Sequence, residues 1–137
     1  MGTVGCDTIE ATILFNNTAT PIRVTLSNPP RSEQGSAQPC LFDKPVVRAA
    51  FSERDIQNAY WQEISGLQAD SMKCQYVFSL EPGFAALLDA GRRCDRPAAI
   101  PYAALAIESP QKRVEWHGPD AASRFKRHGG FCSLHYR

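Results

Sequence analysis

The segment 98–137 constrains this chain most, because it reads as strand, strand, helix, strand with turn and cap chemistry between the elements. Ala99 to Glu108 is an apolar run, Ser109-Pro110-Gln111-Lys112 is turn chemistry, and Arg113-Val114-Glu115-Trp116 is a short return strand. Gly118-Pro119-Asp120 predicts a helix start, with proline at the first helical position and an acid in the first turn. Arg124, Lys126, Arg127 and His128 are then expected in its last turn, where cations suit the carbonyl end, with Gly129-Gly130 as the stop. Phe131 to Tyr136 is predicted to close the chain as a strand with Cys132, Leu134 and Tyr136 on one face.

Upstream, Ile9 to Asn16 alternates, with Ile9, Ala11, Ile13 and Phe15 on one side. Asn17-Thr18-Ala19-Thr20 turns the chain, and Ile22, Val24 and Leu26 alternate again, so this stretch predicts a β-hairpin. Asn16-Asn17-Thr18 matches a glycosylation sequon by letter, but a turn is the reading adopted. Residues 28–39 form a Pro-, Ser-, Gln- and Gly-rich loop, long for a compact domain. Pro45 to Phe51 reads equally as a short strand or as irregular chain. A helix is expected from Ser52, with Asp55 in a capping-box position, Ile56, Tyr60 and Ile64 as its stripe and Gly66 as its stop. A strand carries Cys74, Tyr76, Phe78 and Leu80 on one face. Pro82 is expected to open a third helix with Phe84, Leu87 and Leu88 buried and Gly91 as its end.

These elements predict an α+β fold: one domain over 8–137, a mostly antiparallel sheet, about three helices packed on it, and two disulfides. A hydrophobic fraction of 43% supports a core for a chain of 137 residues, and 21% charged residues with net charge +1 argue against disorder. A near-neutral chain gives no electrostatic case for nucleic acid. No run of 18 apolar residues is present to span a membrane as a helix.

Five cysteines, Cys6, Cys40, Cys74, Cys94 and Cys132, contain no C-x-x-C pair, so zinc-ribbon and thioredoxin-type sites have no support. The last four are spaced as a disulfide framework would be. The strand 73–80 travels about 23 Å at strand rise. The helix expected after it returns about 14 Å, and the extended Arg92-Arg93-Cys94 adds about 10 Å. That path brings Cys94 back to Cys74, which predicts Cys74–Cys94 and, by elimination, Cys40–Cys132. The alternative is a cytosolic chain with five thiols, of which Cys74 and Cys132 pack as small apolar residues.

Cys6 lies outside the first strand, and Thr3-Val4-Gly5-Cys6 resembles the end of a bacterial lipoprotein signal, where small residues precede the cysteine that is lipidated. Thr3 departs from the leucine most common there, and no hydrophobic stretch precedes it. On this resemblance residues 1–7 are a flexible anchor region, Met1-Gly2 replaces a removed signal peptide, and Cys6 is the acyl anchor in the periplasm. In size, anchor and cysteine pattern the chain is similar, as a class, to the immunity lipoproteins that protect bacteria from type VI secretion effectors. The resemblance implies a membrane attachment through the lipid and a protein partner, a toxin or hydrolase whose cleft is blocked sterically.

The chemistry-bearing residues add little to this. His128, Cys132 and His135 fall within a short segment, but Cys132 and His135 point to opposite faces of the predicted strand, so neither a metal site nor a Cys–His nucleophile pair is expected. None of the nucleophile-elbow, zincin, P-loop or dinucleotide motifs is present. No catalytic residue and no cofactor are assigned. The partner-binding candidates are Trp61, Trp116 and His117, with Arg31, Glu33 and Gln34 on the 28–39 loop, which Cys40 would staple. Two other classes remain: an accessory lipoprotein of a secretion or envelope complex, and an envelope enzyme whose site has no readable motif.

Overall fold

A computed structural model describes residues 9–27, 46–49, 62–64, 66–70, 74–92, 102–128 and 131–137. They form β1 (Ile9–Asn16), β2 (Ile22–Ser27), β3 (Val46–Ala49), β4 (Gln62–Glu63), β5 (Gln68–Asp70), β6 (Gln75–Leu80), β7 (Phe84–Arg92), β8 (Ala104–Glu108) and β9 (Arg113–His117). A single turn-and-a-half of helix, α1 (Gly118–Ser123), precedes β10 (Lys126–His128) and β11 (Phe131–Tyr136). The strands make two sheets, one of six in the order β10-β11-β1-β7-β3-β4 and one of five in the order β5-β6-β2-β8-β9. One core joins them: Leu14, Ala86, Leu88, Cys132 and Tyr136 from the first pack with Ile22, Val24, Leu26, Phe78, Leu80, Leu105 and Ile107 from the second. The fold is therefore mostly β, two layers of sheet on one core, and the α+β expectation with about three helices is corrected.

The first correction lies at residues 16–22. β1 and β2 occur where the alternation places them, but they do not form a hairpin. β1 pairs with β7 and β11, whereas β2 pairs with β6 and β8 in the other sheet. Alternation specifies strands and their buried faces, but not their partners. The crossing is held by Asn16, which is fully buried. Its Nδ2 donates to the carbonyls of Leu80 at 2.8 Å and Thr20 at 2.9 Å. Its Oδ1 accepts from the Thr18 amide at 2.9 Å and the Thr18 hydroxyl at 2.6 Å, an Asx-turn that reverses the chain. The second connection between sheets, β6 to β7, docks on the same residue, since the Gly83 amide donates to the Asn16 carbonyl at 2.9 Å. Gly83 has φ +80, which a side chain would strain. With both Nδ2 hydrogens used and the residue buried, Asn16 is a structural corner and offers no glycosylation site.

β7 replaces the helix expected from Pro82 to Gly91. It is a central strand between β1 and β3, buried on both faces. Phe84, Ala86 and Leu88 face the main core, while Ala85 and Leu87 pack with Ile13, Phe15 and Ala11 in a second cluster on the other side. A strand buried on both sides reads as a continuous apolar run. Here the run is written in alanine and leucine, whose intrinsic preference is helical, and tertiary pairing overrides it. A bulge completes the disguise: Thr12 faces Asp89 and Ile13 faces Leu87, so Leu88 is an extra residue. The carbonyl of Leu88 accepts from the buried Tyr102 hydroxyl at 2.7 Å.

The C-terminal segment keeps its predicted strands and turn, but its helix is shorter. α1 has Pro119 in its first turn and Asp120 beside it, as expected, and it ends at Ser123 with tight amide bonds from Arg124 to Ala121 and from Phe125 to Ala122. Ala121 and Phe125 are buried, which fixes the helix on the core. Lys126, Arg127 and His128 are not a helical last turn but strand β10, paired antiparallel with β11. His128 faces Phe131 across Gly129-Gly130, the sequence signature of a two-residue hairpin. β11 runs parallel to β1, and Cys132, Leu134 and Tyr136 share the core face as predicted. Pro45 to Phe51 resolves to strand at Val46–Ala49. The helix expected from Ser52 lies outside the described residues except at its end, where Gln62–Glu63 is strand and Ile64 joins the core.

The two-disulfide framework is also corrected. Cys132 is a thiol buried in the core, at 2% exposure, so the Cys40–Cys132 pairing does not form. No disulfide joins two described residues. Cys74, fully buried with φ 52, is disulfide-bonded, and its expected partner Cys94 lies outside the described residues.

Asn16→Ala removes both Nδ2 hydrogens and the Oδ1 that accepts from Thr18, and it takes its side-chain donor from the buried Leu80 carbonyl, so urea unfolding should show a loss of about 2–4 kcal/mol. Two tyrosines give a matched pair of tests. Tyr102→Phe should cost about 1–2 kcal/mol by orphaning the Leu88 carbonyl. Tyr136→Phe should be neutral or stabilising, because the buried Tyr136 hydroxyl has no hydrogen-bond partner among the described residues.

Candidate protein-binding face

The five-stranded sheet buries one side in the core and turns the other outward, so alternate residues of β2, β6, β8 and β9 share an outer face. The register sorts them into rows. Ser79, Arg23, Glu108 and Arg113 stand directly across from one another, and all four are exposed. Gln68, Val77, Thr25, Ala106 and Glu115 form the second row, and Asp70, Gln75, Ser27, Ala104 and His117 the third. The middle of the face is thus made of small side chains, Thr25 and Ser27 half-buried and Ala104 and Ala106 buried. Charges stand around that floor.

On the edge strand β9 these charges are paired. Both carboxylate oxygens of Glu115 are engaged, Oε1 with Arg113 Nη2 at 2.9 Å and Oε2 with His117 Nε2 at 2.8 Å. The three side chains are one row at a spacing of two residues, which is why a strand brings them together and a helix would not. The Arg113 guanidinium, hydrogen-bonded to Glu115, holds its carboxyl below the usual glutamate range, and the nearby His117 acts in the same direction. All three remain well exposed, so salt screens the row and its contribution to stability is small. The row fixes the orientation of its groups and so presents an ordered charge pattern.

Trp116 and His117, the adjacent recognition candidates, point to opposite sides of β9. His117 is on the outer face, while Trp116 packs half-buried against the core. The guanidinium of Arg124 lies 4.9 Å from the Trp116 ring centroid and is itself held by Asp120, 3.3 Å from Arg124 Nη2. Trp116 is therefore a structural member of the β9–α1 join with one margin in solvent. Trp61, Arg31, Glu33 and Gln34, together with Cys6, Cys40 and Cys94, lie outside the described residues. His135 is on the six-stranded sheet, stacked on Phe15 with ring centroids 4.3 Å apart and its Nδ1 3.1 Å from Asn17 Nδ2. No group of three His, Cys, Asp or Glu residues gathers in metal-binding geometry among the described residues.

Arg23, Thr25, Ser27 and Glu108 were missed as members of a site. Their outward positions follow from the alternation of β2 and β8, but their assembly follows from strand order, which no local pattern encodes. No protein-family model, no curated protein and no solved structure matches this chain.

The ion pairing has a defined pH signature. A lowered carboxyl pKa means that the pairing is present above the ordinary glutamate range and is lost on acidification through the folded value. In a carbon-detected NMR titration the Glu115 carboxyl should titrate below a typical glutamate, about 4.3. Arg113→Gln or added salt should move it back up.

Proposed function

We infer that this chain is a non-enzymatic protein-binding domain of the bacterial envelope, an inhibitor that covers the active-site cleft of a secreted toxin enzyme. The observation that carries the binding reading is the outer face of the five-stranded sheet, where a floor of Thr25, Ser27, Ala104 and Ala106 is rimmed by Arg23, Glu108, Arg113, Glu115 and His117. Fixed opposite charges around a small-residue floor select a partner of complementary charge pattern and disfavour others. A broad sheet surface suits steric occlusion.

The envelope location is supported from a different direction. Cys74 is disulfide-bonded, and disulfides persist in oxidising compartments such as the periplasm. Thr3-Val4-Gly5-Cys6 resembles a lipidation site, and Cys6 as acyl anchor would hold the inhibitor at the membrane where an incoming toxin acts. The lipid keeps the domain at high local concentration, which lowers the affinity that protection requires.

The chain carrying a native leader, cross-linked in the envelope of its own cells, should capture a hydrolase or membrane-attacking toxin, and the purified domain should inhibit that enzyme stoichiometrically. A double variant, Arg23→Glu with His117→Ala, should weaken inhibition about tenfold or more, equivalent to about 1.4 kcal/mol, with an unchanged melting temperature. Capture of envelope-machine subunits alone would replace inhibition by a docking role. Inhibition untouched by the double variant would remove this face from the account.

A further inference from the structure

Among the described residues β9 is the last strand of its sheet, and the β8–β9 register determines which of its backbone groups lack a strand partner there. Ser109 donates to Lys112 and Gly118 donates to Ala103, so the hydrogen-bonded pairs along the ladder include Ile107 with Val114 and Leu105 with Trp116. The amides of Arg113, Glu115 and His117 therefore point away from β8, along the open edge. Their side chains are exposed.

An antiparallel strand added at this edge must set outward-pointing residues opposite outward-pointing residues, which leaves few registers for a second copy of β9. Centred on Glu115, two like carboxylates would oppose each other. Centred on Arg113, two guanidinium groups would do so. Centred on Trp116, the partner would bring its α1 against β9. Centred on Val114, Arg113 of each copy faces Glu115 of the other, twice, with Val114 against its counterpart. Opposite charges directly across strands stabilise pairing, and like charges oppose it. The existing Arg113–Glu115 bridge at 2.9 Å would close into a ring of four alternating charges.

We propose that the β9 edge is a self-association site, through which two copies pair about a two-fold axis at Val114 to form one continuous ten-stranded sheet. The two outer faces then lie side by side with His117 at each end, so the dimer displays the candidate binding face twice. The paired segment is short, which places the contact in the weak, transient class.

Sedimentation velocity of the full chain over a concentration series tests this. Wild type should show a reversible monomer–dimer equilibrium. Arg113→Glu and Glu115→Arg should each weaken it about tenfold or more, and mixing the two variants should restore association as a heterodimer, because every opposed pair is then complementary. Glu115→Pro removes one outward amide without touching the β8 ladder, so it should abolish dimerisation while thermal melting shows a folded monomer. A wild-type chain that stays monomeric at the highest soluble concentration overturns the proposal. So does a dimer indifferent to Glu115→Pro, or a monomer in which hydrogen exchange shows the Glu115 amide already protected by the chain itself. None of these results depends on whether a toxin partner exists.

Discussion

The four hydrogen bonds of the Asn16 side chain are the interaction on which the arrangement of both sheets depends. They turn β1 out of one sheet and hand the chain to β2 in the other. Through Leu80 and Gly83 they tie the second crossing, β6 to β7, to the first. A buried amide is costly unless it is fully satisfied, and fully satisfied it specifies one arrangement and penalises others. If Asn16 were replaced by an apolar residue, β1 and β2 would retain their alternation and their tendency to pair as neighbours, and the corner would lose what prevents it. The layered core of leucine, isoleucine and valine supplies the driving force, but it does not choose between these topologies.

The second tie between the sheets is of the same kind. The bulge at Leu88 frees a carbonyl inside the core, and the hydroxyl of Tyr102, just before β8 in the other sheet, meets it. Between them the two ties set the height of β8 relative to β7, and β8 in turn sets β9. The charged row Arg113–Glu115–His117 and the small-residue floor beside it are therefore consequences of buried polar contacts elsewhere. Position on a rigid sheet, with little contributed by the exposed ion pairs themselves, is what would make that face selective.

Much of the local structure was legible in the sequence. Alternation located β1, β2, β6 and β11, and Ser109-Pro110-Gln111-Lys112 located the β8–β9 hairpin. Three things were not legible, each for a physical reason. The partner of a strand is a long-range choice, and at Asn17–Thr20 a turn of hairpin length joins two sheets instead. β7 carries the residues of a helix, with Phe84, Leu87 and Leu88 at helical spacing, because it is buried on both sides and bulged. The cations at 124–128 suited a helix end, yet the dipeptide Gly129-Gly130 is equally the sequence signature of a hairpin, and pairing of β10 with β11 prevailed. The outer face cannot be assembled without strand order, so of its members the sequence marks only His117.

That β1 and β2 belong to different sheets held at Asn16 can be tested by NMR of the uniformly labelled chain. The Asn16 side-chain amide protons should exchange slowly, with through-bond couplings from Nδ2 to the carbonyl carbons of Leu80 and Thr20 and cross-strand contacts of β1 with β7 and β11. Rapid exchange of that amide, together with a ladder of contacts between β1 and β2, would contradict it and return the chain to a simple hairpin.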